Sequence, residues 1–179
     1  MSKKKPGGET PAIVLVNPKY AQNVGAAVRA ASCFGISQVW YTGDRVEGDI
    51  AMHKRLPREE RMKGYGDVLF CGCDYPFERF HDDAVPVAIE LRDNSEPLTY
   101  FEHPEKAVYV FGPEDGSLRG VTLRQCHRFV VIPTAHCLNL AAAVNVVLYD
   151  RRFKRQLAGL EPVTQREVLK EHRGMIGAP

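Results

Sequence analysis

Short, continuous apolar runs alternate with stretches of helical periodicity along this chain. Residues 12–17 (AIVLVN), 36–43 (ISQVWYTG), 85–91 (VPVAIEL), 107–112 (AVYVFG) and 128–133 (RFVVIP) are β candidates. Because these runs do not alternate apolar with polar, they predict strands buried on both faces, as in a parallel sheet covered by helices. Residues 23–35 (NVGAAVRAASCFG) carry Val24, Ala27, Val28, Ala31 and Phe34 at helical spacing, which predicts a helix capped by Asn23 and ended by Gly35. Arg29 lies off that stripe. Its neighbours three and four positions away are Gly25, Ala26, Ser32 and Cys33, and none of them is a carboxylate.

The remaining stretches complete an α/β alternation. Residues 49–63 predict a charged amphipathic helix and 76–83 a loop or short helix. Residues 117–126 predict a helix turning Leu118, Val121 and Leu123 inward. The longest helix is predicted from about Leu138 to Leu157. Its first half is apolar nearly all round, which requires burial in the protein or in an interface. Thr164 and Glu167 form a capping box for one more short helix in the tail. The expected organisation is a single domain over 12–157, a flexible basic tail over 1–11 and a C-terminal tail over 158–179.

Composition narrows the class. The 179 residues are 44% hydrophobic and 26% charged, with a net charge of +2, as in a globular domain large enough for its own core. No run is long enough to cross a membrane and the opening MSKKKPGGET lacks the apolar stretch of a signal peptide, so the expected address is the cytoplasm. The five cysteines lack the paired spacing of a zinc site, and neither a metal nor a disulfide framework is expected. Basic clusters stand at KKK near the start, at 53–63 (HKRLPREERMK) and at 151–155 (RRFKR). Each fits either a phosphate-attracting patch or a solvated face, and the last also fits cations complementing a helix C-terminus.

Three segments fall where strands end, the usual place for ligand sites in α/β sheets. They are 16–30 (VNPKYAQNVGAAVRA), 110–118 (VFGPEDGSL) and 132–144 (IPTAHCLNLAAAV). Singly, each has an ordinary explanation in turns and helix caps. The chain carries no dinucleotide or P-loop glycine pattern and no G-x-S-x-G elbow.

Taken together and in order, the three segments resemble the three motifs of the SpoU (TrmH-like) family of SPOUT RNA methyltransferases. Asn23, Gly25 and Arg29 match the first, Gly112 and Glu114 the second, and Ile132, Pro133, Leu138 and Asn139 the third. The resemblance spans about 12–155. It implies a mostly parallel sheet flanked by helices with a C-terminal deep trefoil knot, binding of S-adenosyl-L-methionine (AdoMet), and transfer of its methyl group to a ribose 2′-hydroxyl in RNA. It also implies a homodimer with the first and last helices at the interface. By this resemblance Phe111, Gly112, Glu114, Ile132, Cys137 and Leu138 line the cofactor site, joined by Glu90 and Leu91 from their position at the third strand's end. Arg29, Asn23, Glu114 and Asn139 become the catalytic set.

An arginine stays protonated in proteins, so the expected role of Arg29 is to hold a phosphate and to stabilise charge developing on the 2′-oxygen. The chain departs from the family pattern at Cys137, where a serine is usual, in the short loop between Pro133 and Leu138, and in the spacing of Gly116 and Ser117. The expected substrate is tRNA, with ribosomal RNA the second choice, and neither DNA nor a membrane is an expected partner. The alternatives are an RNA-binding module with little or no methyl transfer and a base methyltransferase of the same superfamily.

Overall fold

The computed structural model describes residues 7–48 and 68–163, so the predicted helix over 49–63 and the capping box at Thr164 lie outside the described residues. Among the described residues, seven strands form one parallel sheet: β1 (Ala12–Val16), β2 (Gln38–Thr42), β3 (Leu69–Gly72), β4 (Val85–Ile89), β5 (Glu96–Pro97), β6 (Ala107–Phe111) and β7 (Arg128–Val131). Their order across the sheet is β3-β2-β1-β6-β4-β7-β5. The helices are α1 (Ala21–Cys33), the single turn α2 (Gly120–Leu123) and α3 (Leu140–Leu157).

The continuous apolar runs have the predicted meaning. β1 sits between β2 and β6, with Ile13 opposite Val39 on one side and Tyr109 on the other. Successive residues serve opposite faces of the pleat. Ile13, Leu15, Tyr109 and Phe111 face a core shared with α1 and α3, while Val14, Val108 and Val110 face a second core with Trp40, Leu118 and Cys126. All of these strand residues are essentially inaccessible. Since each fully buried Val, Leu, Ile or Phe contributes about 1.5–3 kcal/mol, the two faces together supply the main drive for folding.

Several expectations are corrected. Helix α1 begins two residues before Asn23. Its N-cap is Tyr20, whose side chain makes no cap bond, so Asn23 is available for tertiary contacts. Gly35 does follow the helix, in the left-handed conformation (φ +72°) that glycine adopts without steric cost. Strands β3 and β5 carry no sequence signal: β3 is largely exposed and β5 contains a proline, so neither has a buried-strand signature. Residues 76–79 form a short 3-10 turn. Leu118 is buried as expected, but Val121 is exposed because the helix at 117–126 contracts to the one turn of α2. The apolar first half of α3 buries only one side. A stripe of Val146, Tyr149, Phe153 and Leu157 remains exposed, with the Tyr149 and Phe153 rings stacked at 6.3 Å.

The cluster at 151–155 is largely drawn into the fold, and Lys154 and Arg155 stand in the last turn of α3, as the helix C-terminus reading expected. Arg151 is buried and donates to the carbonyls of Pro104 and Glu105. Lys154 donates to the carbonyls of Leu98 and Phe101. Arg155 pairs with Glu105 and Glu161. These donors fasten α3 to the connection between β5 and β6 and satisfy loop carbonyls that burial would otherwise leave without partners.

Within this docking surface His103 Nδ1 is 2.6 Å from the Tyr109 hydroxyl and Nε2 is 2.8 Å from Asp150 Oδ2. The neutral ring with its proton on Nε2 satisfies both partners. Burial, opposed by Asp150, depresses the His103 pKa to about 4, and burial pushes the Tyr109 phenol up to about 12. A histidine whose folded pKa lies below its unfolded value of about 6.5 takes up a proton first in the unfolded chain. Stability is therefore complete above that value and declines as pH falls towards 4. In urea titrations the unfolding free energy should drop between pH 6.5 and pH 5, and His103→Gln should remove the drop across that interval.

Candidate active site

The connection from β1 leads to β2 on one side, and that from β6 leads to β7 on the other. The crevice above their carboxyl ends is thus a topological switch point, where open α/β sheets hold ligands. The three segments singled out by sequence meet there through one hydrogen-bonded chain. Glu114, just beyond β6, accepts from the backbone N–H of Lys19 (2.7 Å) and Tyr20 (3.3 Å) and from Asn23 Nδ2 (2.7 Å). Asn23 Oδ1 in turn accepts from Asn139 Nδ2 (2.9 Å). Asn139 Oδ1 caps α3, accepting from Ala141 (2.9 Å) and Ala142 (3.3 Å).

The local reasons are electrostatic. The first N–H groups of a helix lack intrahelical partners and carry the positive end of its dipole. At α1 the negative charge comes from Glu114 in the loop after β6, since the first turn holds no acidic residue. At α3 the asparagine of the helix itself does the capping.

A second clamp lies beside the first. Asp115 accepts from both terminal guanidinium nitrogens of Arg45 (2.9 and 2.8 Å) and lies 3.2 Å from Lys19 Nζ. The Arg45 pair, with Lys19 assisting, holds the Asp115 carboxyl far below the usual carboxylate range. Asn17, at the end of β1, adopts φ 49°, and its N–H donates to Thr42 at 3.1 Å.

Two cavities adjoin this arrangement. The first, of about 350 Å³, opens over the ends of β4, β6 and β7. Phe111, Gly112, Ile132, Leu138, Glu90 and Leu91 all line it, as do Glu114 and Cys137. Every residue expected at the cofactor is therefore in its wall. Glu90 also serves the fold, because its carboxylate accepts from the Leu118 N–H at 2.8 Å and holds the loop after β6 against the end of β4. Thr134 stiffens the short loop before α3 by donating to the His136 carbonyl at 2.8 Å. The second cavity, about 490 Å³, is lined by Asn23, Glu114, Asn139 and Cys137 together with Tyr20 and Gln22.

Arg29 is the exception. It is exposed on α1 and is absent from the walls of both cavities. It has an interaction within the folded chain, so the expectation of an uncompensated guanidinium is set aside. Sequence reasoning also missed Thr134, Ala135 and His136 in the first wall, and Tyr20 at the second. The position of 134–136 between Pro133 and Leu138 was the available signal for the former.

The first cavity fits the cofactor that the resemblance implies. Its volume lies in the range of small-molecule sites. Its walls are mostly apolar. Among the described residues, the charged groups in them are the carboxylates Glu90 and Glu114, with no lysine or arginine. Such a wall suits a ligand carrying a sulfonium cation.

A parallel α/β domain with a carboxylate-lined cavity at its switch point, joined by two asparagines and a glutamate from three loops, has the layout of a small-molecule-binding α/β protein. The model of the SpoU rRNA Methylase family matches residues 74–149. The tRNA (cytidine-2'-O-)-methyltransferase TrmJ of Methanocaldococcus jannaschii is 30% identical over 186 residues, which cover 92% of this chain and 76% of that protein. The tRNA (cytidine/uridine/adenosine-2'-O-)-methyltransferase TrmJ of Pseudomonas aeruginosa is 29% identical over 162 residues, or 79% of this chain and 60% of that one. The chain belongs to the SpoU methylase family.

Solved structures agree on the fold. The A. aeolicus TrmH/SpoU tRNA modifying enzyme superposes with a TM-score of 0.72 at 18% identity, covering 93% of this chain and 87% of that one. The SpoU methyltransferase AviRb from Streptomyces viridochromogenes, in complex with AdoMet, superposes at 0.67 and 19% identity, covering 86% and 60%.

The hydrogen-bonded chain makes a measurable demand. Glu114→Ala removes a charged acceptor from three donors and should lower the unfolding free energy in urea by about 1–3 kcal/mol. Asn139→Ala, the loss of a helix cap, should cost about 1 kcal/mol. Because Asn23 joins the two, the double variant should lose less than the sum.

Proposed function

We propose that this protein is an AdoMet-dependent RNA methyltransferase that modifies a ribose 2′-hydroxyl, with tRNA as its substrate. The observation that carries the reading is the junction of the two cavities. Glu114, Cys137, Leu138 and Leu140 line both, so a ligand in the first and a nucleotide in the second meet across one wall. Relatives named as tRNA 2′-O-methyltransferases support the substrate class.

In this reading Phe111, Gly112, Ile132, Leu138, Glu90 and Leu91 hold AdoMet, which supplies an electrophilic methyl group when bound. Asn23 and Asn139 each use one amide N–H in the chain from Glu114 to α3. An amide nitrogen carries two, and the second of each is directed to ribose oxygens. Glu114 fixes both amides and acts as a positioning residue. Arg29 lies about 9 Å further along α1 than Asn23, at about 1.5 Å per residue. From there its guanidinium anchors a phosphate beside the target ribose. A side chain that is always protonated cannot take the hydroxyl proton, so its contribution is electrostatic.

We also assign residues 12–157 to one methyltransferase domain and the knotted threading to its C-terminal third. The exposed stripe of Val146, Tyr149, Phe153 and Leu157 is the surface proposed for a homodimer, since burying it removes a continuous apolar strip from water. No described helix is long and apolar enough to cross a membrane, in keeping with a cytoplasmic address. The reading as a binding module without turnover is set aside, because Asn23, Glu114 and Asn139 remain joined by hydrogen bonds around the cavity.

The purified protein with AdoMet should render one internucleotide linkage of tRNA resistant to alkali. Arg29→Ala should lower that methyl transfer about 100-fold or more while the far-ultraviolet circular dichroism stays unchanged. Normal transfer by the variant would remove Arg29 from the mechanism, and a methylated base in the nucleoside digest would move the reaction off the ribose.

A further inference from the structure

Proteins that recognise single-stranded RNA loops splay bases out of the stack and receive them on aromatic side chains. We infer that Tyr20 is such a side chain: the base of the acceptor nucleotide stacks on its ring at the rim of the second cavity. The inference rests on the methyltransferase reading and goes beyond it by naming what receives the base.

Three observations carry it. Among the described residues, Tyr20 is the single aromatic side chain in the wall of the 490 Å³ cavity, beside Asn23 and Asn139. It is 49% exposed, so part of its ring is open to an incoming base. Its side chain does not support the fold of α1, because the N-cap bonds come from its backbone. The carbonyl accepts from Asn23 (3.0 Å) and Val24 (3.2 Å), and the N–H donates to Glu114 Oε1.

The ring is nonetheless held in place. Lys19 Nζ lies 5.3 Å from its centroid and is itself held by Asp115 at 3.2 Å. Asp115, followed by the Tyr20 side chain, keeps the Lys19 pKa above its ordinary value. A ring carried on an anchored backbone and steadied by a cation is partly organised before RNA arrives, which lowers the ordering cost of binding. Every base presents a π face, so the contact itself is indifferent to base identity.

The test measures methyl transfer from radiolabelled AdoMet to tRNA prepared from cells lacking the protein, using wild type, Tyr20→Ala and Tyr20→Phe. Losing the stack should reduce kcat/KM about 5- to 150-fold in Tyr20→Ala, expressed mainly as a higher KM for RNA. Tyr20→Phe, which keeps the ring, should stay close to wild type. AdoMet affinity by calorimetry and the thermal unfolding midpoint should be the same in all three, because Tyr20 does not line the first cavity and its backbone does the capping. Unchanged kcat/KM in Tyr20→Ala overturns the inference. So does a Tyr20→Phe variant as impaired as Tyr20→Ala, which would put the role in the hydroxyl. A parallel fall in AdoMet affinity or unfolding midpoint overturns it in favour of a structural role. Absence of transfer by the wild type overturns the methyltransferase reading and this inference with it, and that result is distinct because it appears before any substitution.

Discussion

The Glu114 carboxylate at the N-terminus of α1 is the contact on which the site depends. One side chain from the end of β6 satisfies two backbone donors of the β1–α1 connection and the amide of Asn23. The negative charge meets the positive end of a helix dipole, so the attraction is strongest where the two loops must be joined. From Asn23 the bonding passes to Asn139 and into the cap of α3. Three loops from distant parts of the sequence thereby share one geometry, and the walls of both cavities follow from it.

The opposite end of α3 is held by different chemistry. Arg151 and Lys154 donate to backbone carbonyls of the β5–β6 connection, and His103 bridges Tyr109 to Asp150. Among the described residues no buried side-chain nitrogen or oxygen lacks a partner, so this polar surface contributes without unpaired groups. Helix α3 is pinned by its cap at the site and by side-chain donors further along. That leaves its outer apolar stripe as a surface without cover from the described residues.

Much of this was legible in the residues. Buried parallel strands announce themselves because both faces must be apolar, and the five runs identified that way all became strands. The eight residues expected near one ligand, six from the motifs and Glu90 and Leu91 from their place at a strand end, converge on one cavity. Strands β3 and β5 were hidden, since an exposed edge strand and a two-residue strand have no periodicity to read. The sequence left the cluster at 151–155 open between readings for a related reason: charge in a sequence gives no indication of whether loop carbonyls lie within reach of it.

The sequence by itself determined the buried strands, the long helices and the layered α/β class, because side-chain polarity and backbone preference act locally. Tertiary structure alone decided what the site residues do to one another. Asn23 looks like a cap until Glu114, 91 positions away, is found bonded to it. Arg29 looks solitary until the packed chain gives it an interaction and places it outside both cavities. Hydrogen bonds and charge pairs act over a few ångströms of space, and distance along the chain carries no record of them.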